Sequence, residues 1–539
     1  MKHGRLLDCT LRDGAYLVDK QFGDNTIKGI INGLVETKID FIEIGFFQDE
    51  GFGKGKTVFR NSEDAKRFIP KDKEGCEFTV LADYSRFSVD NLDEHLPESV
   101  DAVRECFLKN ERFDAINACK VIKEKGYKLF VQPVDILGYT DIEIIELIEL
   151  VNQLEPFCFS IVDTFGSMYI EDLQRVFNLI DHNLISTCRI GFHSHNNMQM
   201  SAALSQEFLR MTSGRREVII DATISGMGRG AGNTPIELMV QYMVSRLGYN
   251  YNIDALLDTI DGYMDNIRSR CEWGYSTPYF VAGSYSAHVN NIAYLLSKNS
   301  IRSKDIRYIL NKIGVNARKR YDYDLLERTY MDYLNSNIDD TNAIRTLEDC
   351  LGDEEVLIVA PGNSINKEIC KIEKYIEDKK PKIITINYLN ENIKEDFLYL
   401  SNISRYNYWK NSENFTKTKK IIVSNVTTEE DDNTLVVSFA RIIKCGWEYM
   451  DNSMILLLRL LDELKIRKIA IAGFDGYGFG QTDVQNYADK EMELHNVRLN
   501  PDDLNRDICS MLEDYRVTRK NKVPIEFVTT SRFAQILEQ

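Results

Sequence analysis

One aspartate near the start of the chain and two histidines far downstream have the residue types and spacing to hold a divalent cation. His193 and His195 flank a single serine. On a strand, residues i and i+2 point to the same face, so both imidazoles can reach one point. Asp13 stands in Arg12-Asp13-Gly14, where the apolar run from Leu6 ends, and can add a carboxylate. Two imidazoles and one carboxylate suit divalent first-row metals and leave positions open for a substrate. The donors do not select the metal. Mn2+ and Mg2+ are favoured where substrate oxygens complete an octahedron, while Zn2+ and Co2+ remain open. The competing reading places the histidines in a core or on the surface. Two of only seven histidines at this spacing argue against it. Arg12 keeps its charge at any working pH and would stabilise a developing enolate oxygen. Pairing with Glu43 is its alternative role, and the two are compatible.

These side chains need a frame that brings distant strand ends together. Strand-like apolar runs occur at Arg5–Thr10, Ile39–Phe46, Glu77–Ala82, Asp101–Phe107, Lys128–Val134, Phe159–Asp163, Cys188–Ser194 and Glu217–Ala222. Amphipathic stretches such as Asn25–Thr37, Glu111–Lys125, Ile142–Leu154 and Tyr169–Asp181 lie between them. Strand and helix alternating at this spacing imply parallel strands with crossover helices. Eight such units predict a (β/α)8 TIM barrel over residues 1–248, in preference to an open doubly wound sheet. A barrel requires its unusual polar residues to follow the strands, at one face. Arg12, Asp13, Glu43, Asp83, Arg104, Asp163, Thr164 and the histidine pair meet that demand. So does the glycine-rich loop Gly226–Asn233, which suits close backbone approach to a substrate or phosphate better than it suits a dinucleotide fingerprint. Glu43 and Arg104 are candidate substrate-binding residues. Asn233 either supports the metal site or caps the helix from Pro235 onward.

Residues 249–334 read as a helical extension, a communication or oligomer segment. Residues 335–355, rich in Asp, Asn and Glu, read as a linker. A second α/β unit follows over 356–539, with strands at Val356–Val359, Lys382–Asn387, Lys420–Ser424, Thr434–Phe439, Lys468–Ala472 and Pro524–Thr529. The pattern is Rossmann-like and too small for a second barrel. Its turn Pro361-Gly362-Asn363-Ser364 either places a phosphate at a helix N-terminus or is an ordinary strand-to-helix turn.

Composition narrows the function classes. Hydrophobic residues make up 43% and charged residues 28%, as in ordinary globular chains. A formal net charge of −17 argues against nucleic acid as a partner. The lack of an apolar run of about 18 residues argues against a membrane span. Eleven scattered cysteines without a Cys-x-x-Cys pair fit reduced thiols. With a first strand close to Met1 in place of a signal peptide, a cytoplasmic location is expected.

The run Asp8-Cys-Thr-Leu-Arg-Asp-Gly14, His193-Ser-His-Asn-Asn197 and Gly226-Met-Gly-Arg-Gly-Ala-Gly-Asn-Thr-Pro235 together resemble the DRE-TIM metallolyase (HMGL-like) superfamily over residues 1–314. The 4-hydroxy-2-oxovalerate aldolase branch is the most similar. By that resemblance Asp13, His193 and His195 hold the metal, Arg12 stabilises the enolate of pyruvate or a related 2-oxo acid, and Thr164 lines the substrate pocket. Tyr285, in Ala282-Gly-Ser-Tyr-Ser286, joins Arg12 and Tyr16 as a candidate catalytic residue. The aldolases carry an acid/base histidine where this chain has Tyr16. An ordinary phenol has a pKa near ~10, so Tyr16 suits proton donation or substrate binding. Claisen-type synthases of the superfamily usually carry Asp at the position of Asn197. In the C-terminal unit, Ile358–Ile365, Asn387 and Ile469–Asp475 are similar to Rossmann-like domains of the MptE-like and sialyltransferase-type group. That resemblance implies a nucleotide or nucleotide-sugar ligand near Gly362, Asn363, Ser364, Asn387 and Asp475.

The expected function is a divalent-metal-dependent aldolase, a carbon–carbon lyase. It would act on a 2-oxo acid and an aldehyde or sugar, in carbohydrate or surface-polysaccharide precursor synthesis, as a homo-oligomer, a dimer. A Claisen-type acyl-CoA/2-oxo acid transferase is the second enzyme reading. A non-catalytic barrel scaffold with a nucleotide-binding C-terminal domain is the reading from another class.

Overall fold

The computed structural model describes residues 3–212, 214–298, 301–336, 338–390, 392–426, 431–447, 449–478, 485–492 and 500–537. The chain divides into two compact units. The first is Met1–Leu295 with Ser303–Tyr323, and the second is Leu296–Arg302 with Asp324–Gln539.

The first unit is a closed parallel barrel. Its strands are β1 (Gly4–Asp8), β2 (Phe41–Phe47), β3 (Glu77–Asp83), β4 (Ala102–Phe107), β5 (Lys128–Pro133), β6 (Cys158–Asp163), β7 (Arg189–Ser194) and β8 (Val218–Ala222). Each pairs with its sequence neighbour in parallel, and β1 pairs with both β2 and β8, which closes the ring. A two-residue strand, Val58–Phe59, adds to β2.

Alternation along the strands sorts side chains between two layers. Leu6, Ile42, Val103, Leu129, Phe159 and Ile220 face outward, onto helices such as Asp24–Thr37 and Asp141–Leu154. Leu7, Phe41, Ala102, Phe130, Cys158 and Ile219 gather in a separate cluster, the floor of the barrel interior. Two residues further along, and so on the same face, stand Glu43, Arg104, Gln132, Ser160 and Asp221, all buried. The polar site therefore sits one layer above an apolar floor, at the carboxyl ends of the strands.

The opening strand ends earlier than its apolar run suggests. Residues Thr10–Asp13 form a buried helical turn. Asp8 starts it, because its carboxylate accepts from the Thr10 N–H at 3.0 Å and from Thr10 Oγ1 at 2.7 Å. This local bonding competes with continuation of the ladder. It carries Arg12 and Asp13 on a turn above β1.

The second unit is a seven-stranded parallel sheet. Its strands are β9 (Glu355–Val359), β10 (Lys382–Ile386), β11 (Phe397–Leu400), β12 (Lys419–Val423), β13 (Thr434–Val437), β14 (Lys468–Ala472) and β15 (Ile525–Phe527). The order is β13-β12-β11-β10-β9-β14-β15, so the direction of winding reverses between β9 and β14. Val356 and Ile358 pack in one apolar layer with helix Ser453–Glu463, and Leu357 and Val359 pack in another with Ile365 and Ile372.

Two stretches differ from the sequence reading. The segment read as a linker contains a helix, Thr341–Leu351, whose Ala343, Leu347 and Leu351 are buried at i, i+4 and i+8. Its acidic and amide residues fill the solvent face, which is why composition suggested a linker. The helix Tyr323–Leu334, read as part of the extension, belongs from Asp324 onward to the second unit. Among the described residues, no helix is long and apolar enough to cross a membrane.

Candidate active site of the barrel

Asp13 is the hub. Its Oδ2 is buried and makes no hydrogen bond. Three nitrogens surround that atom: Arg12 Nη1 at 3.2 Å, His193 Nε2 at 3.2 Å and His195 Nε2 at 3.7 Å. The two imidazoles stand nearly perpendicular, 5.1 Å apart. His193 lies on β7, while His195 lies just past its end, in a bridge to Asn233.

A buried network fixes these groups. Asp221 Oδ2 lies 3.0 Å from His193 Nδ1 and also holds Arg104. With the Nδ1 proton directed to Asp221, the Nε2 lone pair of His193 faces Asp13. Arg12 Nε donates to Glu43 Oε2 at 2.7 Å, and Arg104 Nη1 approaches the same oxygen at 3.0 Å. Asp13, Glu43, Arg104 and Asp221 are essentially inaccessible to solvent.

The electrostatics favour a cation-ready state. Burial pushes the Asp13 carboxyl up, but Arg12, His195 and His193 outweigh it and hold the group well below the usual carboxylate range. Burial pushes His195 down to about 4, so it is neutral near pH 7 with a lone pair to give. Burial also opposes protonation of His193, yet the neighbouring Asp13 and Asp221 carboxylates raise it.

The ligand-capable atoms of Cys9, Asp13 and His193 lie within 4.8 Å of one another. This buried cluster can hold a metal ion, and the unbonded Asp13 Oδ2 supplies the vacant valence. Within it Cys9 is the weakest donor. Burial raises its thiol well above the ordinary range, and Sγ donates to the Ala222 carbonyl at 3.4 Å. Ligation needs the thiolate. His195 offers a neutral nitrogen on the solvent side, with 14% of its side chain exposed.

The remaining candidates fall around this centre. Asn233 Nδ2 donates to the Met227 carbonyl at 3.1 Å, and its Oδ1 is buried without a hydrogen bond. Asn233 does not cap the following helix, Ile236–Leu247, whose N-cap is Pro235. Gly228 allows this arrangement, since a Cβ there would lie 2.3 Å from Asn233 Nδ2. Thr164 Oγ1 accepts from the Asp135 N–H at 2.7 Å and so ties the loops after β5 and β6. Asn197 donates to the Phe165 carbonyl at 2.9 Å and accepts from the Ala231 N–H at 3.0 Å. An aspartate there could not make the first bond.

Tyr16 lies one turn beyond Asp13, in the 3-10 helix Gly14–Val18. Burial raises its phenol against the pull of Arg229 and Arg12, so the group keeps its proton. Among the described residues, no hydrogen bond or ion pair joins Tyr285 to Asp13. Its hydroxyl accepts from Arg307 Nε at 3.3 Å and from Asn311 Nδ2 at 3.2 Å, both on helix Ser303–Ile313.

Sequence reasoning missed Asp221, Lys20, Arg229 and His288. Asp221 had a signal, a carboxylate inside the apolar run Val218-Ile-Ile-Asp-Ala222. His288 is half-buried; burial and then the charges of Arg229 and His195 push it down to about 3.

In the second unit, the ends of β9 and β14 border a cavity of about 550 Å3 lined by Gly362, Asn387, Asn402, Ser453, Asp475 and Tyr487 among others. A crevice at the reversal of winding is where open parallel sheets bind ligands. Asn387 has φ 58°, and its Oδ1 is buried without a hydrogen bond. The helix N-terminus after Gly362 is not free for a phosphate. Asp475 already accepts from the Ser364 N–H at 2.7 Å and from Ser364 Oγ at 2.5 Å. Asn363 is turned to the Gln485 carbonyl at 3.1 Å.

The barrel residues are similar to those of known proteins. Residues 4–261 match the HMGL-like family model. A 256-residue stretch is 26% identical to the oxaloacetate decarboxylase of Mycobacterium tuberculosis, covering 45% of this chain and 70% of that protein. A 331-residue stretch is 26% identical to the 4-hydroxy-2-oxovalerate aldolase of a Marinomonas species, covering 57% and 91%. Among solved structures, the N-terminal domain of a proposed aldolase from Bacteroides vulgatus aligns with a TM-score of 0.47 at 22% identity, over 60% of this chain and 99% of that one.

Proposed function

Residues 4–261 belong to the HMGL-like family, and from that premise we propose that this chain is a divalent-metal-dependent aldolase working through the enolate of pyruvate or a related 2-oxo acid. The observation that carries the reading is the buried Asp13 Oδ2, unbonded and faced by two imidazole nitrogens within 3.7 Å. Asp13, His193 and His195 would hold the cation. When bound, it supplies Lewis-acid polarisation of the keto and carboxylate oxygens, with Mn2+ or Mg2+ suited to that oxygen-rich set.

The protein's own groups do the rest. Arg12, fixed between Asp13 and Glu43, places a permanent charge where the enolate oxygen develops. Asp221 orients His193. In the condensation direction the pyruvate methyl group loses a proton to solvent water, and the resulting enolate carbon bonds to the aldehyde carbon. The carbonyl pair moves onto the aldehyde oxygen, and that oxygen takes a proton from the Tyr16 hydroxyl. The crevice of the second unit, with the unbonded amide oxygen of Asn387 and a self-capped helix, suits a sugar or nucleoside portion of a ligand near Asn387 and Gly362.

The test is exchange of pyruvate methyl protons with deuterium in the presence of Mg2+ or Mn2+, read by mass spectrometry. Exchange that needs both metal and Asp13 supports the reading, and no exchange with either metal refutes it. A second reading, decarboxylation of a 2-oxo diacid, is favoured by one observation. Tyr16 keeps its proton, and loss of CO2 forms an enolate without a base. Metal-dependent CO2 release from oxaloacetate, without exchange into pyruvate, would select it.

A further inference from the structure

Two cations stand on the ring of Tyr16. The Arg229 guanidinium carbon lies 4.0 Å from the ring centroid, and Lys20 Nζ lies 5.9 Å from it. Lys20 also sits 4.7 Å from the ring centre of Phe46. Among the described residues, no carboxylate pairs with either cation. Arg229 Nε is buried without a hydrogen bond, and Lys20 donates to a neutral acceptor, Gln48 Oε1, at 2.7 Å. Burial, and then repulsion from Arg86, Lys56 and Arg229, pushes the Lys20 ammonium below its usual range. Asp83, the carboxylate that opposes this shift, lies 3.5 Å from Arg86.

The backbone holds these charges in place at a cost. Asp19 and Lys20 both have positive φ, 48° and 62°. Such strain persists only where the surroundings over-determine it. Here the Lys20 N–H donates to the Ala15 carbonyl at 2.7 Å, and its own carbonyl accepts from the Thr57 N–H at 3.0 Å. Arg229 rides on the loop between Gly228 and Gly230.

Charge balance shows what is left over. In the inner network, three carboxylates (Asp13, Glu43 and Asp221) face two guanidinium groups (Arg12 and Arg104). A divalent cation and the single carboxylate of a 2-oxo acid bring that set to neutrality. Arg229 and Lys20 then remain as two uncompensated positive charges over the residue that would protonate the aldehyde oxygen.

We propose that Arg229 and Lys20 bind a phosphate group on the second substrate, so that the acceptor is a phosphorylated aldehyde. The inference rests on the aldolase reading for its chemistry but on the two cations for its ligand. A phosphate carries about −1.5 to −2 at neutral pH, which matches the pair. Arg supplies a planar fork and Lys a point charge.

Binding to the full-length protein tests the site without any reaction. By isothermal titration calorimetry, inorganic phosphate should bind the wild type. Arg229→Gln and Lys20→Gln should each weaken it at least tenfold. Arg229→Lys, which restores the charge, should stay within a few-fold and so guard against a misfolded variant. Malonate, a carboxylate probe, should bind more weakly than phosphate. Absent phosphate binding, binding untouched by both Gln variants, or tighter malonate binding overturns the proposal. In condensation with pyruvate, D-glyceraldehyde 3-phosphate should exceed D-glyceraldehyde in kcat/KM by about a hundredfold, and Arg229→Gln should reduce that ratio below ten. Equal use of the two aldehydes overturns it. If neither aldehyde reacts and pyruvate does not exchange while phosphate still binds through both cations, the aldolase reading fails and the phosphate site stands.

Discussion

The carboxyl ends of the strands in the two units carry opposite kinds of chemistry. In the barrel they gather full charges. Asp13, Glu43, Arg104 and Asp221 are buried together, with Arg12 and the histidines on top. In the second unit they gather mostly amides and hydroxyls; the charged residues of that crevice are Arg405, Asp451 and Asp475, with Arg405 donating to the Met492 carbonyl and Asp475 committed to capping Ser364. A buried charge network is costly to desolvate and is well placed where charge develops during a reaction. Neutral amides are enough where a ligand is merely held. On the proposed reading, the difference suits the barrel to bond-making and the second unit to holding a ligand.

The comparison breaks most sharply at Asp13. Asp13→Asn should lower metal-dependent enolisation by about 10³-fold or more and abolish metal binding in calorimetry. Retained activity would mean that the charged layer is structural. Next comes Leu347→Ala. Leu347 is fully buried in the second unit, so truncation should cost about 2–5 kcal/mol there. Denaturation followed by calorimetry should show one transition shifted and metal binding retained. Loss of metal binding at the same denaturant concentration would show that the units are not energetically separate. Arg12→Lys keeps the charge but loses the fork between Asp13 and Glu43. It should lower kcat by about 10²–10³ with metal affinity little changed, and an equal fall in both would make Arg12 a support for the metal. Asp221→Asn should weaken metal binding by about 10–100-fold. The smallest effect belongs to the second unit. Asp475→Ala removes a helix cap and should cost about 1 kcal/mol, read as a small drop in Tm with barrel chemistry intact.

Much of the barrel was legible because eight repeats of one pattern reinforce each other, and because a strand's period of two aligns His193 with His195. The family match over residues 4–261 falls within the 1–314 span of the resemblance and stops short of its last part. What escaped depended on tertiary context. The turn Thr10–Asp13 is set by one side chain, Asp8, inside what reads as a strand. β11, Phe397–Leu400, is four residues long and buried on both faces, so it shows neither alternation nor length. The 335–355 composition described only the exposed side of a helix. Tyr285 was singled out by resemblance, and its hydroxyl accepts from Arg307 and Asn311 with its own proton left to donate. Arg229 lies in the glycine-rich loop that the sequence marks, whereas Lys20 carries no local mark. Only folding places both on one ring.

The layered barrel interior has a consequence for assembly of the fold. Arg104 faces inward on β4, and the next residue, Glu105, faces outward with both carboxylate oxygens unbonded. A one-residue slip of β4 would exchange them, since register shifts flip every side chain to the other face. Glu105 would then meet Glu43 and Asp221 with no guanidinium between, three buried carboxylates in one layer. The misregistered chain would be penalised by like-charge repulsion and by desolvation together. The same residues that ready the site for a cation would thus disfavour a slipped β4.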